Sequence, residues 1–325
     1  MKIAIVTDKS RENLISLEEA QLEDKQKLET VRSIKRILSQ KYDCLEFTAD
    51  ENIIKNLKEE NIDLVFNLCN GIEGFSRLAQ LPAMLEFANI PYTGSSILGH
   101  ALAINKVFAS TVFKSNNIPT PDFISVNSMK DIEDIQMDYP ILIKPSDEGS
   151  SRGIHQDSLV FDYEQLKKKM EYSLDMYNPP IMLNQYIVGR EFSIGVVGNG
   201  DDVTILPIQE VDMSELPDGL LKFNSFEVKS YYKSHVNYYL PGRISEEEKV
   251  LIEDAVLKAY KSLLLRDYAR VDIRLKNGDP YVIEVNSLPG LERNHSDICK
   301  MAKSINIEYD DLIKKIVKHA RDRIK

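Results

Sequence analysis

The stretch Ala269-Arg-Val-Asp-Ile-Arg-Leu-Lys-Asn-Gly-Asp-Pro-Tyr-Val-Ile-Glu-Val-Asn-Ser-Leu-Pro-Gly290 reads as two adjacent strands. Along it Val271, Ile273 and Leu275, then Tyr281, Ile283 and Val285, make an apolar face, while Arg270, Asp272, Arg274, Glu284 and Asn286 take the other. Both polar sets therefore share one side of a hairpin. Placing Asp272 opposite Glu284 constrains the turn, since a two-residue Asn277-Gly278 turn pairs Asp272 with Ile283. The pattern predicts a three-residue loop such as 277–279, or a bulge. Asp272, Glu284 and Asn286 then offer three oxygen ligands, a set that suits a hard divalent cation, magnesium above all, held together with phosphates. A hairpin with a solvated face is the plainer reading of such charges. Against it stand the apolar run 281–285, broken only by Glu284, and the Asn286-Ser-Leu-Pro-Gly290 tail, which sets backbone amides beside the carboxylates.

Outside this hairpin, 325 residues are enough for two or three domains around buried cores. A net charge of −10 and the lack of a basic stripe argue against a nucleic-acid partner. The lysines at 165–169 read as a solvated helix face. The apolar start Met1-Lys-Ile-Ala-Ile-Val-Thr-Asp8 is too short for a secretion signal, and no apolar run approaches the ~20 residues of a membrane span. Cys44, Cys69 and Cys299 are an odd, scattered set, as expected of reduced packing thiols in a cytoplasmic protein.

Along the chain, residues 1–102 alternate strand and helix, with strands at 2–7, 44–48 and 64–68 and helices near 17–40, 52–60 and 77–89. Leu28, Val31, Ile34 and Leu38 form one stripe of the first helix, the packing face of an α/β layer. This part resembles a small doubly wound domain, without the Gly-x-Gly-x-x-Gly fingerprint of dinucleotide binding. From 103 to 195 the pattern predicts a helix (103–116), a strand (141–144), a Gly-Ser loop, a helix (162–176) and a strand (181–185). Residues 196–325 are strand-rich up to the hairpin, with helices at 245–264 and 308–323.

Four separated motifs, Lys144-Pro-Ser-Asp-Glu-Gly-Ser-Ser-Arg-Gly153, Gly189-Arg-Glu-Phe192, Ala269-Arg-Val-Asp272 and Glu284-Val-Asn286 with Pro289-Gly290, together resemble the D-alanine–D-alanine ligase branch of the ATP-grasp superfamily. The resemblance runs from about Asn67 to the C-terminus. It implies a three-domain fold of α/β and α+β type, in which a Rossmann-like pre-ATP-grasp domain (1–102) precedes two ATP-grasp lobes (103–195 and 196–325). It also implies ATP bound between the lobes, phosphorylation of a substrate carboxylate, and displacement of the phosphate by an amine. Amino acids or amines are the expected small-molecule partners, and homodimerisation is an expectation of the family.

Lys144 ends an apolar strand and Lys106 begins a helix, so both ammonium groups can meet ATP phosphates as point charges. Glu148, Gly149, Ser150 and Ser151 belong to a loop whose amides fold over the β- and γ-phosphates. By resemblance Glu191 holds the ribose hydroxyls, Gln185, Tyr186 and Ile187 line the adenine slot, and Lys229 reaches the phosphates from a mobile loop. Two magnesium ions, or manganese in their place, are expected on Asp272, Glu284 and Asn286. Arg270 and the amide of Gly290 are the natural donors to the tetrahedral oxyanion of amine attack, and Ser150 joins them as a catalytic candidate.

Substrate-facing segments depart from the family. Asp8-Lys-Ser-Arg-Glu12 lacks the ligases' glycine pair, leaving Glu12 or Glu18 as candidates for the acid that binds the first substrate's amine. Asn70-Gly71 stands for a His-Gly pair, with Glu73 the nearest acidic match for substrate binding. Ser230 follows Lys229 where the ligases have tyrosine, with Tyr231 and Tyr232 next to it. Ser296 lies near the expected site for the second carboxylate, one residue further along, beside His295. The leading reading is a magnesium- and ATP-dependent carboxylate–amine ligase with an altered amino-acid or amine substrate. The second is a non-catalytic ATP-binding relative that acts as a regulator or partner.

Overall fold

Ile3, Ala4, Ile5 and Val6 are all fully buried, so the first strand has no solvent face and must be sandwiched. The computed structural model describes residues 1–10, 17–149 and 151–324. Strand β1 (Lys2–Thr7) is the middle of a parallel three-stranded sheet, with β2 (Asp43–Thr48) on one side and β3 (Leu64–Asn67) on the other. Helices α1 (Leu17–Leu38), α2 (Ile53–Glu59) and α3 (Gln80–Phe87) connect and cover it. Ala4 and Val6 pack with Ile53, Leu57, Leu81 and Leu85, while Ile3 and Ile5 face a core shared with the C-terminal end of the chain.

The apolar stripe of α1 differs from its expected membership. Val31, Ile34 and Leu38 are buried, and so is Ile37, but Leu28 is exposed. In the middle of the helix Lys27 and Thr30 line a cavity instead of a core.

A single helix at 103–116 was expected; two are present, α4 (Ile97–Ile104) and α5 (Lys106–Ser115). Between them Asn105 is extended and its side-chain oxygen accepts from the N–H groups of Val107 and Phe108, both at 3.1 Å. That is an N-cap, and it makes Lys106 the first residue of its helix.

The central sheet is four-stranded, in the order β4 (Phe123–Val126), β7 (Ile181–Gln185), β5 (Ile141–Pro145), β6 (Leu159–Val160), with α6 (Tyr163–Met176) packed on it. The large sheet has six strands: β8 (Arg190–Asn199), β9 (Asp202–Ile205), β10 (Gln209–Asp212), β11 (Asn237–Tyr239), β12 (Tyr268–Lys276) and β13 (Asp279–Asn286). Its path is β11-β10-β8-β12-β13, with β9 paired to β8. Four helices complete the chain: α7 (Phe226–Tyr231), α8 (Glu246–Ser262), α9 (Asp297–Ser304) and α10 (Tyr309–Asp322).

Sheet membership follows the division at 102/103 but not that at 195/196. Residue 195 falls inside β8, and Ala109 and Phe113 of α5 pack with Ile252, Val256 and Val282 of the large-sheet core. On the other face of that sheet, α10 buries Leu312, Ile313, Ile316 and Val317 in one cluster with Ile3, Ile5 and Tyr268. One core thus joins the first strand to the last helix.

Replacing Ile316, which is fully buried in that cluster, by alanine is expected to destabilise the chain by ~2–5 kcal/mol. The shift in denaturant midpoint checks this, and a change below ~0.5 kcal/mol would show that the shared core does not contribute to stability.

Candidate active site

The hairpin that decides the site has a two-residue turn and a bulge. Lys276 pairs with Asp279 around Asn277 and Gly278, and the register holds through Ile273 with Val282. It then slips, so that Asp272 faces Glu284 and Arg270 faces Asn286. The extra residue is Ile283. This corrects the expected apolar face: Val282, not Ile283, is buried beside Ile273, while Ile283 lines a cavity with Glu284, and Tyr281 pairs across from Arg274.

Asp272 is held from several sides. The guanidinium of Arg270 donates to both its oxygens, at 2.9 and 2.8 Å. Ser193 of β8 donates at 2.7 Å and the Asn286 amide nitrogen at 3.0 Å. With its nitrogen spent on Asp272, Asn286 keeps its carbonyl oxygen as an acceptor. Among the described residues no three His, Cys, Asp or Glu side chains converge as a metal cluster. Two carboxylates and an amide oxygen still fit a hard cation that draws its remaining ligands from phosphate and water.

Two cavities meet at Glu284 and Asn286 of this trio. One, of about 130 Å³, is lined by Gln185, Tyr186, Ile187, Glu191, Lys144 and Ser151 together with Asp272, Glu284 and Asn286. The other, of about 420 Å³, is lined by Asp8, Lys27, Arg77, Gly290, Glu292 and Ser296, among others. Glu148, Lys229, Arg270, Glu284 and Asn286 line both. The larger chamber opens at the C-terminal ends of β1 and β3, where ligands of parallel sheets collect.

Cations ring the junction. Lys106 donates to the Glu148 carbonyl and lies 3.9 Å from Glu284. Lys144 is buried, and burial first, then the Lys106 ammonium, push its pKa down to about 8 against the pull of Glu284. Lys229 sits on the short helix α7, not in an irregular loop. It reaches water through the cavities it lines, yet the surrounding protein, then Arg270, lower its pKa, with Glu284, Asp272 and Asp297 opposing. In the small cavity Glu191 is paired with Arg274 at 2.7 Å, and Arg274 also donates to the Tyr186 hydroxyl at 2.8 Å.

Other anticipated residues are placed differently. Glu73 is exposed on a turn and lines neither cavity; its carbonyl accepts from Gln80 at 2.8 Å. Ser150 and Glu12 lie outside the described residues, as does the Glu18 side chain. Ser230 and Tyr231 are exposed, and Tyr232 packs beside Val211 and Val228, away from both cavities. Gly290 and Ser296 stay together: a Cβ on Gly290 would lie 3.0 Å from the Ser296 hydroxyl.

Sequence reasoning missed the buried Asp8, which accepts from the Asn70 N–H at 3.1 Å and pairs with Lys27 at 3.3 Å. It also missed Arg77, which donates to the Asp147 carbonyl at 2.7 Å and lies 4.0 Å from the Glu148 carboxylate. Its backbone is held close by Gly71, whose positive φ of 75° brings it so near that a Cβ would strike the Arg77 carbonyl. Nothing in the local pattern marks these residues, since a single polar side chain at a strand end or in a turn is ordinary.

The family model described as D-ala D-ala ligase C-terminus matches residues 112–318. The chain belongs to the D-alanine–D-alanine ligase family. It is 33% identical over 291 residues to a D-alanine–D-alanine ligase of Carboxydothermus hydrogenoformans, covering 86% of this chain and 88% of that one. It is 35% identical over 262 residues to the uncharacterized protein y4sG of Sinorhizobium fredii, covering 80% and 75%. The fold is also that of the Bacillus anthracis D-alanine–D-alanine ligase complexed with ATP, with a TM-score of 0.76 and 24% identity over 99% of this chain and 98% of that one. As a member of this family the chain is an ATP-grasp enzyme, an ATP-dependent ligase that forms carbon–nitrogen bonds. No described helix is long and apolar enough to cross a membrane.

For this ligase the Lys144 pKa of about 8 gives a pH test. The ammonium is present below that value and lost above it, and an anionic polyphosphate binds the charged form better. Nucleotide affinity is therefore expected to fall as pH rises from 7 to 9, with proton uptake on binding near pH 8. Lys144→Arg, which stays charged, should flatten the profile in calorimetry; an equally steep profile in the variant would assign the titration elsewhere.

Proposed function

We propose that this enzyme is a magnesium-dependent carboxylate–amine ligase that works through an acyl phosphate, with amino acids or amines as substrates and pocket preferences differing from those of a plain D-alanine ligase. One observation carries the reading: a narrow cavity suited to a nucleotide and a wider chamber suited to two small substrates share Glu284, Asn286, Arg270 and Lys229. A γ-phosphoryl group bound at that junction would be open to a substrate carboxylate entering from the chamber.

Gln185, Tyr186 and Ile187 would flank the base, and Glu191, oriented by Arg274, would accept from the ribose. Lys106, Lys144 and Lys229 would neutralise phosphate charge, and the loop carrying Glu148, Gly149 and Ser151 would cover the phosphates. Magnesium bound by Asp272, Glu284 and Asn286 would supply Lewis-acid polarisation of the β- and γ-phosphoryl oxygens. Arg270, braced by Asp272 at 2.8 Å and lying 3.8 Å from Asp297, would stabilise the oxyanion formed when the amine attacks, with the Gly290 amide as second donor. The tetrahedral adduct then expels phosphate and leaves an amide. We read the three sheets as the pre-ATP-grasp domain and the two ATP-grasp lobes.

The altered preference is supported by the chamber itself. The Asp8 carboxylate is already engaged by Lys27, Ser230 is exposed, and Arg77 sits in the chamber wall. With one substrate held fixed, kcat/KM across an amino-acid panel is expected to rank at least one residue other than D-alanine first at one of the two positions; D-alanine first at both would refute the altered preference.

Glu284→Gln is expected to bind nucleotide within a few-fold of the parent while turnover falls by about 10²–10³, as when a group acting on developing charge is removed. The products are expected to be ADP and phosphate. Single-turnover phosphate release at the parental rate would take Glu284 out of the reaction, and stoichiometric AMP would overturn the acyl phosphate.

A further inference from the structure

Strand β13 ends at Asn286, which pairs with Arg270 in the last step of the hairpin ladder. The chain then runs through Ser287, Leu288, Pro289 and Gly290 along the wall of the larger chamber. Among the described residues these four make no backbone hydrogen bond, and the next polar anchor is the Leu291 carbonyl, which accepts from the Tyr309 hydroxyl at 2.9 Å. Leu288 adds apolar packing against the shared core. Among the described residues one hydrogen bond holds the stretch between: the Ser287 hydroxyl lies 2.8 Å from Nδ1 of His100.

His100 lies on α4 and is 0% exposed, and Ser287 is 1% exposed. Burial, and then the Arg266 guanidinium, push the imidazole pKa down to about 3, so the ring is neutral, with one N–H and one bare nitrogen. Ser287 matches Nδ1, while Nε2 has no partner among the described residues. An apolar side chain of that size would leave no polar atom unmatched, so the imidazole is kept at a cost and its hydrogen bond goes to Ser287. The chain entering α4 is itself firmly seated. Ser95 accepts the Arg266 N–H at 3.3 Å and Asp267 accepts the Gly94 N–H at 2.8 Å. Gly99 lies so close that a Cβ would be 3.0 Å from the Leu264 carbonyl oxygen and 3.3 Å from that of Leu263.

A rigid helix thus holds the chain that leaves the hairpin. Just beyond α4 the same segment presents Lys106, 3.9 Å from Glu284. The Asn286 amide nitrogen is spent on Asp272 at 3.0 Å, so its carbonyl oxygen is aimed by the backbone that carries it. We propose that His100 is a positioning residue that, through Ser287, fixes the chain after β13 so that Asn286 presents its oxygen to the metal and Gly290 its amide to the reaction. The inference rests on the ligase reading above and adds to it a residue outside both cavities on which metal affinity depends.

The test is manganese binding to the whole chain in the presence of a non-hydrolysable ATP analogue, read from the paramagnetic resonance signal of the free ion. His100→Leu keeps the bulk and loses the bond; Ser287→Ala removes only an oxygen and carries the test if His100→Leu does not fold. Each is expected to weaken manganese binding by about ten-fold or more, the usual effect of losing a group that orients a metal ligand, with metal-free analogue affinity little changed. The double variant should be no worse than either single one, since both remove the same bond. His100→Asn, which keeps a polar atom near the place of Nδ1, should recover most of the affinity. Unchanged manganese affinity in Ser287→Ala, additive losses in the double variant, or a loss in His100→Asn equal to that in His100→Leu would each overturn the proposal. No manganese binding by the parent would overturn the metal site and this inference together. ADP release from acid and amine mixtures tests the ligase reading separately: its absence alongside the expected manganese series would remove the reaction and leave the tether.

Discussion

A strand shows alternate residues to opposite faces, so the spacing of a hairpin decides which side chains share a face. The two-residue turn between β12 and β13 is the wrong parity for bringing Asp272 opposite Glu284; the single extra residue at Ile283 restores it. Without the bulge, the residue opposite Asp272 would be an isoleucine and Glu284 would point with the core. With it, Asp272, Glu284 and Asn286 share a cavity, Val282 stays in the core, and Ile283 is left to line the same cavity as Glu284. Both ends of the proposed reaction meet at this point.

Around it the protein maintains a charge arrangement that is costly in isolation. Lys106 lies near enough to Lys144 to disfavour its ammonium form, with Arg270 and Lys229 lining the same cavities. Such repulsion is a poor choice for stability and a good one for receiving a polyphosphate, the usual trade at a functional site. Asp272 limits the strain by fixing the Arg270 guanidinium in a two-point contact, so that it is oriented before any substrate arrives.

The larger chamber is shaped by contacts distant in sequence. Its wall takes Asp8 from the end of β1, Lys27 from α1, Arg77 from the turn after Gly71, Lys106 from α5 and Glu292 from the segment after β13. The shared core of Ile3, Ile5, Tyr268 and Ile316 keeps these pieces together. In this arrangement Lys27 neutralises Asp8.

Local pattern was sufficient for much of this. Alternating strands and helices at the N-terminus, apolar runs at β5 and β7, the paired polar positions of the hairpin and the four ordered motifs lay within short stretches, where periodicity and residue type act directly. They determined the alternating order of the N-terminal elements, the family and the requirement for an odd residue between Asp272 and Glu284. Tertiary structure alone decided how that requirement was met, by a bulge instead of a longer loop, because turn and bulge satisfy the same parity. It also decided that Leu28 and Glu73 face solvent, that Glu191 is paired with Arg274, and that Asp8 is paired with Lys27. Whether a charged side chain is free or compensated depends on which other charge the fold brings within about 4 Å, and no sequence spacing encodes a distance of that kind between separate elements.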